Sequence, residues 1–337
     1  MPKNIVVFSD GTGQDGGVGP NTNVYKLFNI IEDRTKEQIA FYDPGVGNQK
    51  YSIFGKAIGF GLSTNIKQCY RFIFENYEAG DKIYLFGFSR GAATVRSLSG
   101  LIELVGILPK SRPELIDEAY DIYREEDHNR KVAMARDFVG RHHTMWTKIE
   151  FLGCFDTVAA LKGQSDYHNF NLSNSVIHAR HAVSIDETRI PFEPVLWNKE
   201  IKPHQTMKQV YFLGVHTDVG GGYEKTGLAD ISYQWMLKEA KAAGLRIFDE
   251  SRRAVNPNPN GFMHRELYMV KAVRLPYKNR PRSWNREVHG DLVVHSSVFE
   301  RTITQENVEG RYHSWVMDAG CVTEEIAYGE PVKLKEA

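Results

Sequence analysis

The chemistry-bearing residues are most concentrated where an apolar stretch from Lys82 runs into Gly87-Phe88-Ser89-Arg90-Gly91 and on toward Leu98. This is a Gly-x-Ser-x-Gly pattern set between a strand-like and a helix-like segment. A serine at such a turn projects its hydroxyl above a sheet, and Gly87 and Gly91 remove the Cβ atoms that would collide there. The start of the following helix offers free N–H groups and a positive dipole end, which favour the oxyanion of acyl transfer. A serine hydroxyl is a weak nucleophile until a base takes its proton, so an acid and then a histidine are required further along. Asp156 follows the apolar run Ile149 to Leu152, within Gly153-Cys-Phe-Asp-Thr-Val158. His216 follows Val210 to Leu213, within the glycine-rich Gly214-Val-His-Thr-Asp-Val-Gly-Gly-Gly-Tyr223. The chemistry is then attack of Ser89 on an ester carbonyl, with His216 as base and Asp156 holding the imidazole.

Each assignment has a plainer competitor. Residues 87–91 also suit a packing turn with a capping serine. Asp156 also suits an Asx turn, and His178, His181 and His295 compete with His216. An oxyanion hole needs two donors. The backbone N–H of Arg90 is one candidate, and Gly11 or Thr12 in the loop Phe8-Ser-Asp-Gly-Thr-Gly13 supplies the other. That loop also suits a phosphate, though it lacks the Gly-Lys-Ser/Thr of a Walker sequence and the dinucleotide glycine pattern. Asp10 and Asp218 read as supporting residues. With Asp43 they also form a candidate acidic cluster for a divalent cation, which would make the protein a metal-dependent phosphodiesterase. Lys271, Arg274, Lys278, Arg280, Arg282 and Arg286 gather around Tyr277 and Trp284, as a phosphate-gripping surface or a solvated loop. Cys154, at a strand end without elbow geometry, reads as packing.

These residues need strands that end beneath them. Ile5 to Phe8, Ile39 to Tyr42, Ile83 to Phe86, Ile149 to Leu152 and Val210 to Leu213 are short apolar runs, as in strands buried on both faces. Helical period separates them, in Val24, Leu27, Phe28 and Ile31, then in Ile66, Tyr70, Ile73 and Tyr77 after a cap at Ser63. A further helix carries Leu228, Ile231, Trp235 and Met236 and is stopped by Gly244. The alternation predicts an α/β fold with a mainly parallel central sheet flanked by helices, whose ligands bind beyond the carboxyl ends of the strands. A charged, helix-prone insertion is expected at about 109–147, with Leu115, Ala119 and Ile122 on one face shaping an acyl pocket. The core is expected over 1–250, and 251–337 as an appended lobe packed on it, opened by the turn-rich run Asn256 to Gly261.

Bulk properties narrow the partners. The 42 basic and 42 acidic residues balance, so no global field draws the chain to nucleic acid, and contact with a membrane surface is expected to be transient at most. Three unpaired-looking cysteines, Cys69, Cys154 and Cys321, fit a reducing compartment. The amino terminus has no secretory-signal pattern and no apolar run reaches the length of about 18 residues needed to span a bilayer. A soluble cytoplasmic protein, or one exported by a signal-independent route, is the expectation. No cofactor is implied.

Several stretches together resemble one family. Ser9-Asp-Gly-Thr-Gly13 with Asn21-Thr-Asn-Val24, Tyr42-Asp-Pro-Gly-Val-Gly47, Leu85 to Ala92, Phe155 to Val158, Ser184-Ile-Asp-Glu-Thr-Arg189 and Val215 to Tyr223 are similar to the blocks of the DUF2235 family of α/β hydrolases. That family includes phospholipase effectors of type VI secretion. The resemblance runs in order from about Asn4 to Leu237, and it implies the α/β-hydrolase fold, Ser89, Asp156 and His216 as triad, and a lipid or small ester as substrate. A non-catalytic binding module on the same fold remains the alternative from another class.

Overall fold

The computed structural model describes residues 2–11, 16, 17, 19–45, 57–158, 170–248, 255–270 and 274–324. The first strand, β1 (Asn4–Ser9), is buried along its whole length. Its side chains alternate between two cores, Ile5 and Val7 to one and Val6 and Phe8 to the other. Each such fully buried side chain stabilises the fold by roughly 1.5–3 kcal/mol, so this one strand pins both helical layers to the sheet. The other strands along the sheet are β2 (Gln38–Asp43), β3 (Lys82–Phe88), β4 (Ile149–Phe155), β5 (Val176–Ser184) and β6 (Thr206–Phe212). A small antiparallel hairpin, β7 (Tyr268–Val270) with β8 (Leu275–Pro276), stands apart, and β9 (Val293–His295) and β10 (Val322–Glu324) rejoin the sheet.

The eight-stranded sheet has the order β10-β9-β6-β5-β4-β3-β1-β2, with every pairing parallel. The strand order reverses at β1, which lies between β2 and β3, so the switch point of the sheet opens between the ends of β1 and β3. One face is covered by α2 (Ala57–Asn76) and α3 (Arg90–Val105), the other by α1 (Asn23–Ile30) and α7 (Gly227–Ala242), with the short α6 (His216–Gly220) between β6 and α7. This is the α/β architecture expected from the alternation of apolar runs and helical period.

Four details differ from the sequence expectation or add to it. Strand β5 was not expected, because His178, Arg180 and His181 interrupt its apolar run; Arg180 is neutralised by Glu239 of α7. Helix α2 begins before Ser63, so that serine is not a cap, and its hydroxyl meets Tyr120 Oη at 2.8 Å. The insertion forms α4 (Leu115–Arg124) and α5 (His128–His142). The apolar face of α4, including Leu115, Ala119, Tyr120 and Ile122, is buried in the core shared with α2 and α3 rather than lining an acyl pocket. The last part of the chain, read as a lobe on the core, supplies β9 and β10 and so continues the central sheet beyond β6. No helix among the described residues is long and apolar enough to cross a membrane.

The tightest backbone approach joins β1 to the start of α3. A Cβ at Gly91 would lie 2.0 Å from the Ser9 carbonyl oxygen, and one at Gly87 2.4 Å from the Gly91 carbonyl oxygen. Both obstacles are backbone, at the end of β1 and in the first turn of α3, and cannot swing aside. Gly91→Ala is therefore expected to destabilise the fold by about 3 kcal/mol or more, read from urea unfolding midpoints; a variant within about 0.5 kcal/mol of wild type would show that the approach is not tight.

Candidate active site

Strand β3 delivers Ser89 at a backbone conformation of φ 58°, ψ −121°, outside the regions favoured for an L-residue. Such strain persists only where the surroundings enforce it. Here the Ser89 N–H is held by the Phe155 carbonyl at 3.0 Å, and α3 begins at the next residue. Arg90 thus occupies the first helical position, whose N–H has no acceptor within the helix and faces the same turn. Ser89 is 8% exposed, and among the described residues its hydroxyl has no hydrogen-bond partner. In sites without substrate the bond from nucleophile to base is commonly open.

Strand β4 delivers Asp156, also at positive φ (39°), with its N–H bonded to the Ala182 carbonyl at 2.7 Å. Its carboxylate is fully buried and accepts from every side: the Ser184 N–H at 2.9 Å, Arg282 Nη1 at 2.6 Å and Nη2 at 2.8 Å, and His216 Nδ1 at 2.6 Å. Burial pushes this carboxyl upward, but the charge and hydrogen bonds of Arg282 and the contact with His216 outweigh it, and the group lies well below the usual carboxylate range. It is therefore ionised. The proton in the bond to His216 then resides on Nδ1, which leaves Nε2 as the ring's free acceptor.

His216 is the first residue of α6. Its ring lies between Phe88, with centroids 4.7 Å apart, and Phe192, at 5.0 Å. Its backbone N–H donates to Glu187 Oε2 at 3.2 Å. Glu187 is in turn paired with Arg189, whose Nε is 2.8 Å from Oε1 and whose guanidinium lies 3.9 Å from the centre of the Phe192 ring. Burial raises the Glu187 carboxyl and the Arg189 contacts lower it by more, so it too stays ionised. Glu187 and Arg189 form a buried ion pair that holds the backbone of the His216 loop.

Ser89, Asp156 and His216 thus stand at the ends of β3, β4 and β6 on one edge of the sheet. The loop after β1 reaches the same place, since a Cβ at Gly11 would touch Ser89 Cβ at 3.5 Å. The Gly11 N–H, however, donates to Asp10 Oδ1 at 2.7 Å and so is already committed, which argues against it as an oxyanion donor. Thr12 lies outside the described residues. Asp10 also accepts from Thr22 Oγ1 at 2.5 Å and Tyr42 Oη at 2.7 Å. Burial raises its carboxyl to about 6 despite those bonds. Asp43 beside it accepts from Ser9 Oγ at 2.9 Å. Asp218 is held elsewhere, by the Val215 N–H at 3.1 Å and His264 Nδ1 at 2.6 Å. The alternative acidic cluster of Asp10, Asp43 and Asp218 is therefore not assembled, and among the described residues no group of three or more His, Cys, Asp or Glu is placed to hold a metal ion.

The competing histidines are engaged otherwise. His178 bonds Thr206 Oγ1 at 2.9 Å, and His295 bonds Ser297 Oγ at 2.9 Å. His181 is buried behind the site, accepts the Thr157 N–H at 3.0 Å, and is pushed down to about 3 by burial. Cys154 is buried on β4 and its thiol is pushed up to about 12 by desolvation, which suits packing and not nucleophilic attack. Of the basic run near the carboxyl end, Lys271 lies outside the described residues, and Arg274, Lys278, Arg280 and Arg286 are exposed. Arg282 alone among the described members is buried, and its role escaped sequence reasoning because composition cannot separate it from its neighbours.

Residues 3–239 match the family described as "T6SS, Phospholipase effector Tle1-like, catalytic domain". The chain belongs to this family. Among curated proteins, an uncharacterized protein of Saccharomyces cerevisiae is 34% identical over 218 residues, covering 57% of this chain and 32% of the yeast protein. An uncharacterized protein from Pseudomonas aeruginosa of known structure has a TM-score of 0.50 at 18% identity, covering 77% of this chain and 49% of that one. The structure of the Tle1 effector bound to the VgrG spike of the type 6 secretion system aligns at a TM-score of 0.37 and 21% identity, covering 67% of this chain and 52% of the effector. The chain thus spans about a third of the yeast relative and about half of each solved chain. The Tle1-like match ends at residue 239, so Arg282 lies beyond it.

Asp10 makes a pH prediction. Its carboxyl is raised to about 6 in the fold, against roughly 3.9 in an unfolded chain, so the native state binds this proton more tightly. The stability it contributes is complete below about pH 4 and is lost as pH rises through 6. Asp10→Asn has no such titration. Relative to wild type, the variant is expected to gain on the order of 3 kcal/mol between pH 4 and pH 7 in urea unfolding. Parallel pH dependences for the two proteins would contradict the buried, protonatable Asp10.

Proposed function

We propose that this Tle1-like chain is a serine esterase that cleaves the acyl ester of a lipid, a phospholipid first among them, through an acyl-enzyme. The observation that carries the reading is the 2.6 Å bond from His216 Nδ1 to a buried, ionised Asp156, on the same sheet edge as the strained Ser89. Nε2 is left free to take the Ser89 proton as Oγ attacks the ester carbonyl. The carbonyl electron pair moves onto oxygen, where the Arg90 N–H and the positive end of α3 stabilise it. His216 then returns the proton to the leaving alcohol as the tetrahedral intermediate collapses to acyl-Ser89. Water, deprotonated by the same imidazole, releases the fatty acid. The phospholipid assignment is supported by the family description, and the chemistry by the residues themselves.

The decisive experiment is labelling with a fluorophosphonate probe, with wild type compared with Ser89→Ala and His216→Ala, followed by short acyl esters and phospholipid vesicles as substrates. Labelling of wild type that is lost in both variants is expected, with hydrolysis reduced at least about 1,000-fold in Ser89→Ala. Release of fatty acid from vesicles would identify the lipid substrate, and hydrolysis of short esters alone would make the protein a small-ester hydrolase. A folded wild type that neither labels nor hydrolyses any ester would overturn the reading in favour of a binding module.

A further inference from the structure

We propose that Arg282 is a positioning residue of the triad: its guanidinium fork locks the Asp156 carboxylate, and its fixed positive charge keeps that carboxylate from holding His216 as an imidazolium. The inference rests on the reading of Ser89, His216 and Asp156 as a triad, and it adds a fourth member from outside the Tle1-like match. Arg282 Nη1 and Nη2 each bond one oxygen of Asp156, at 2.6 and 2.8 Å. The same two nitrogens donate to the carbonyls of Ser184, at 2.8 Å, and Phe192, at 2.7 Å. A planar fork tied at four points to three separate segments has no freedom to rotate, and neither has the carboxylate it grips. The oxygen that receives His216 Nδ1 therefore has a single position, and the ring is aimed by it.

The charge matters as much as the geometry. A lone buried carboxylate beside an imidazole favours the protonated ring, and a protonated ring cannot accept the serine proton. Arg282 grips both oxygens of the same carboxylate, including the Oδ2 that receives His216 Nδ1, and converts a bare negative charge into a neutral pair. The neighbouring groups leave that balance intact. Glu187, at the His216 backbone, is matched by Arg189. Asp218, on the same short helix as His216, is turned to His264, whose Nδ1 and backbone N–H bond its two oxygens at 2.6 and 3.0 Å. His181 behind Asp156 is kept neutral by burial, and the buried Tyr211 hydroxyl, which faces both Asp156 and Arg282, is held well above its ordinary value by desolvation. Lysine would keep the charge but lose the fork, and methionine would lose both, so the two contributions separate by substitution.

The test uses Arg282→Lys and Arg282→Met in the full chain, with folding checked by thermal unfolding. Two readouts are followed against pH: the rate of fluorophosphonate labelling, and the titration of the His216 ring by NMR in a Ser89→Ala background. Arg282→Lys is expected to label at least about ten-fold more slowly at the plateau, with the acid limb close to that of wild type. Arg282→Met is expected to move the acid limb and the ring titration upward by about one pH unit or more. A folded Arg282→Met whose limb and ring titration match wild type would overturn the charge role. Wild-type labelling by Arg282→Lys would overturn the positioning role, and it decides the matter alone if Arg282→Met does not fold. Failure of the triad reading looks different: wild type itself would not label, while the ring titration would still report whether Arg282 acts on His216.

Discussion

A negative charge with no access to water ends β4, and much of the surrounding structure is arranged to keep it there. Burying an ionised carboxylate alone costs several kcal/mol or more, and the group would take up a proton instead. Asp156 escapes that outcome because four elements converge on it: its own strand, the N–H of Ser184 at the end of β5, the imidazole that begins α6, and the guanidinium of Arg282. Removing one partner of such a buried pair typically costs about 3–5 kcal/mol, so the site and the stability of this sheet edge are the same set of contacts. The strained backbone at Ser89 and at Asp156 is sustained by this convergence and by the carbonyls of Phe155 and Ala182 that hold their N–H groups.

The same device recurs along the edge. Asp186, beyond β5, accepts from Tyr312 Oη and Gln305 Nε2, each at 2.9 Å, while also binding the Gly214 N–H at 2.8 Å. Asp218, beyond β6, is paired with His264. Three successive strand-end acids are thus each capped by a side chain from beyond residue 250, whereas Asp10 and Asp43 at the other end of the sheet are satisfied by hydroxyls of the first fifty residues. The carboxyl-terminal segment also packs Trp284 and Trp315 edge-to-face on Tyr211, with centroids 5.7 Å apart in both pairs. Its attachment is therefore both apolar and electrostatic.

What was legible in the sequence was whatever depended on near neighbours. Strands β1, β2, β3, β4 and β6 are apolar runs, and Ser89, Asp156 and His216 sit in short patterns whose backbone demands are local. Strand β5 was not legible, because the partners that make Arg180 and His181 tolerable in a buried strand come from α7 and from the turn after β4. The start of α2 was masked by Gly59 and Gly61, which weaken helix propensity but are carried within the helix. Strands β9 and β10 are three residues each, too short to show a period, and they exist because β6 offers an edge to pair with. Arg282 was hidden most completely: the contact that sets it apart from five other basic residues spans 126 positions.

That separation has a consequence for how the protein is made. A ribosome releases β3 with Ser89 first, then β4 with Asp156, then the His216 loop, and the arginine last of all. Chains generally fold from the amino end as they emerge. Until the segment that carries Arg282 docks, Asp156 and His216 lack the guanidinium that the complete fold places beside the carboxylate. The contacts of Asp156 are thus completed only after residue 282 has been made, an order set by the sequence itself.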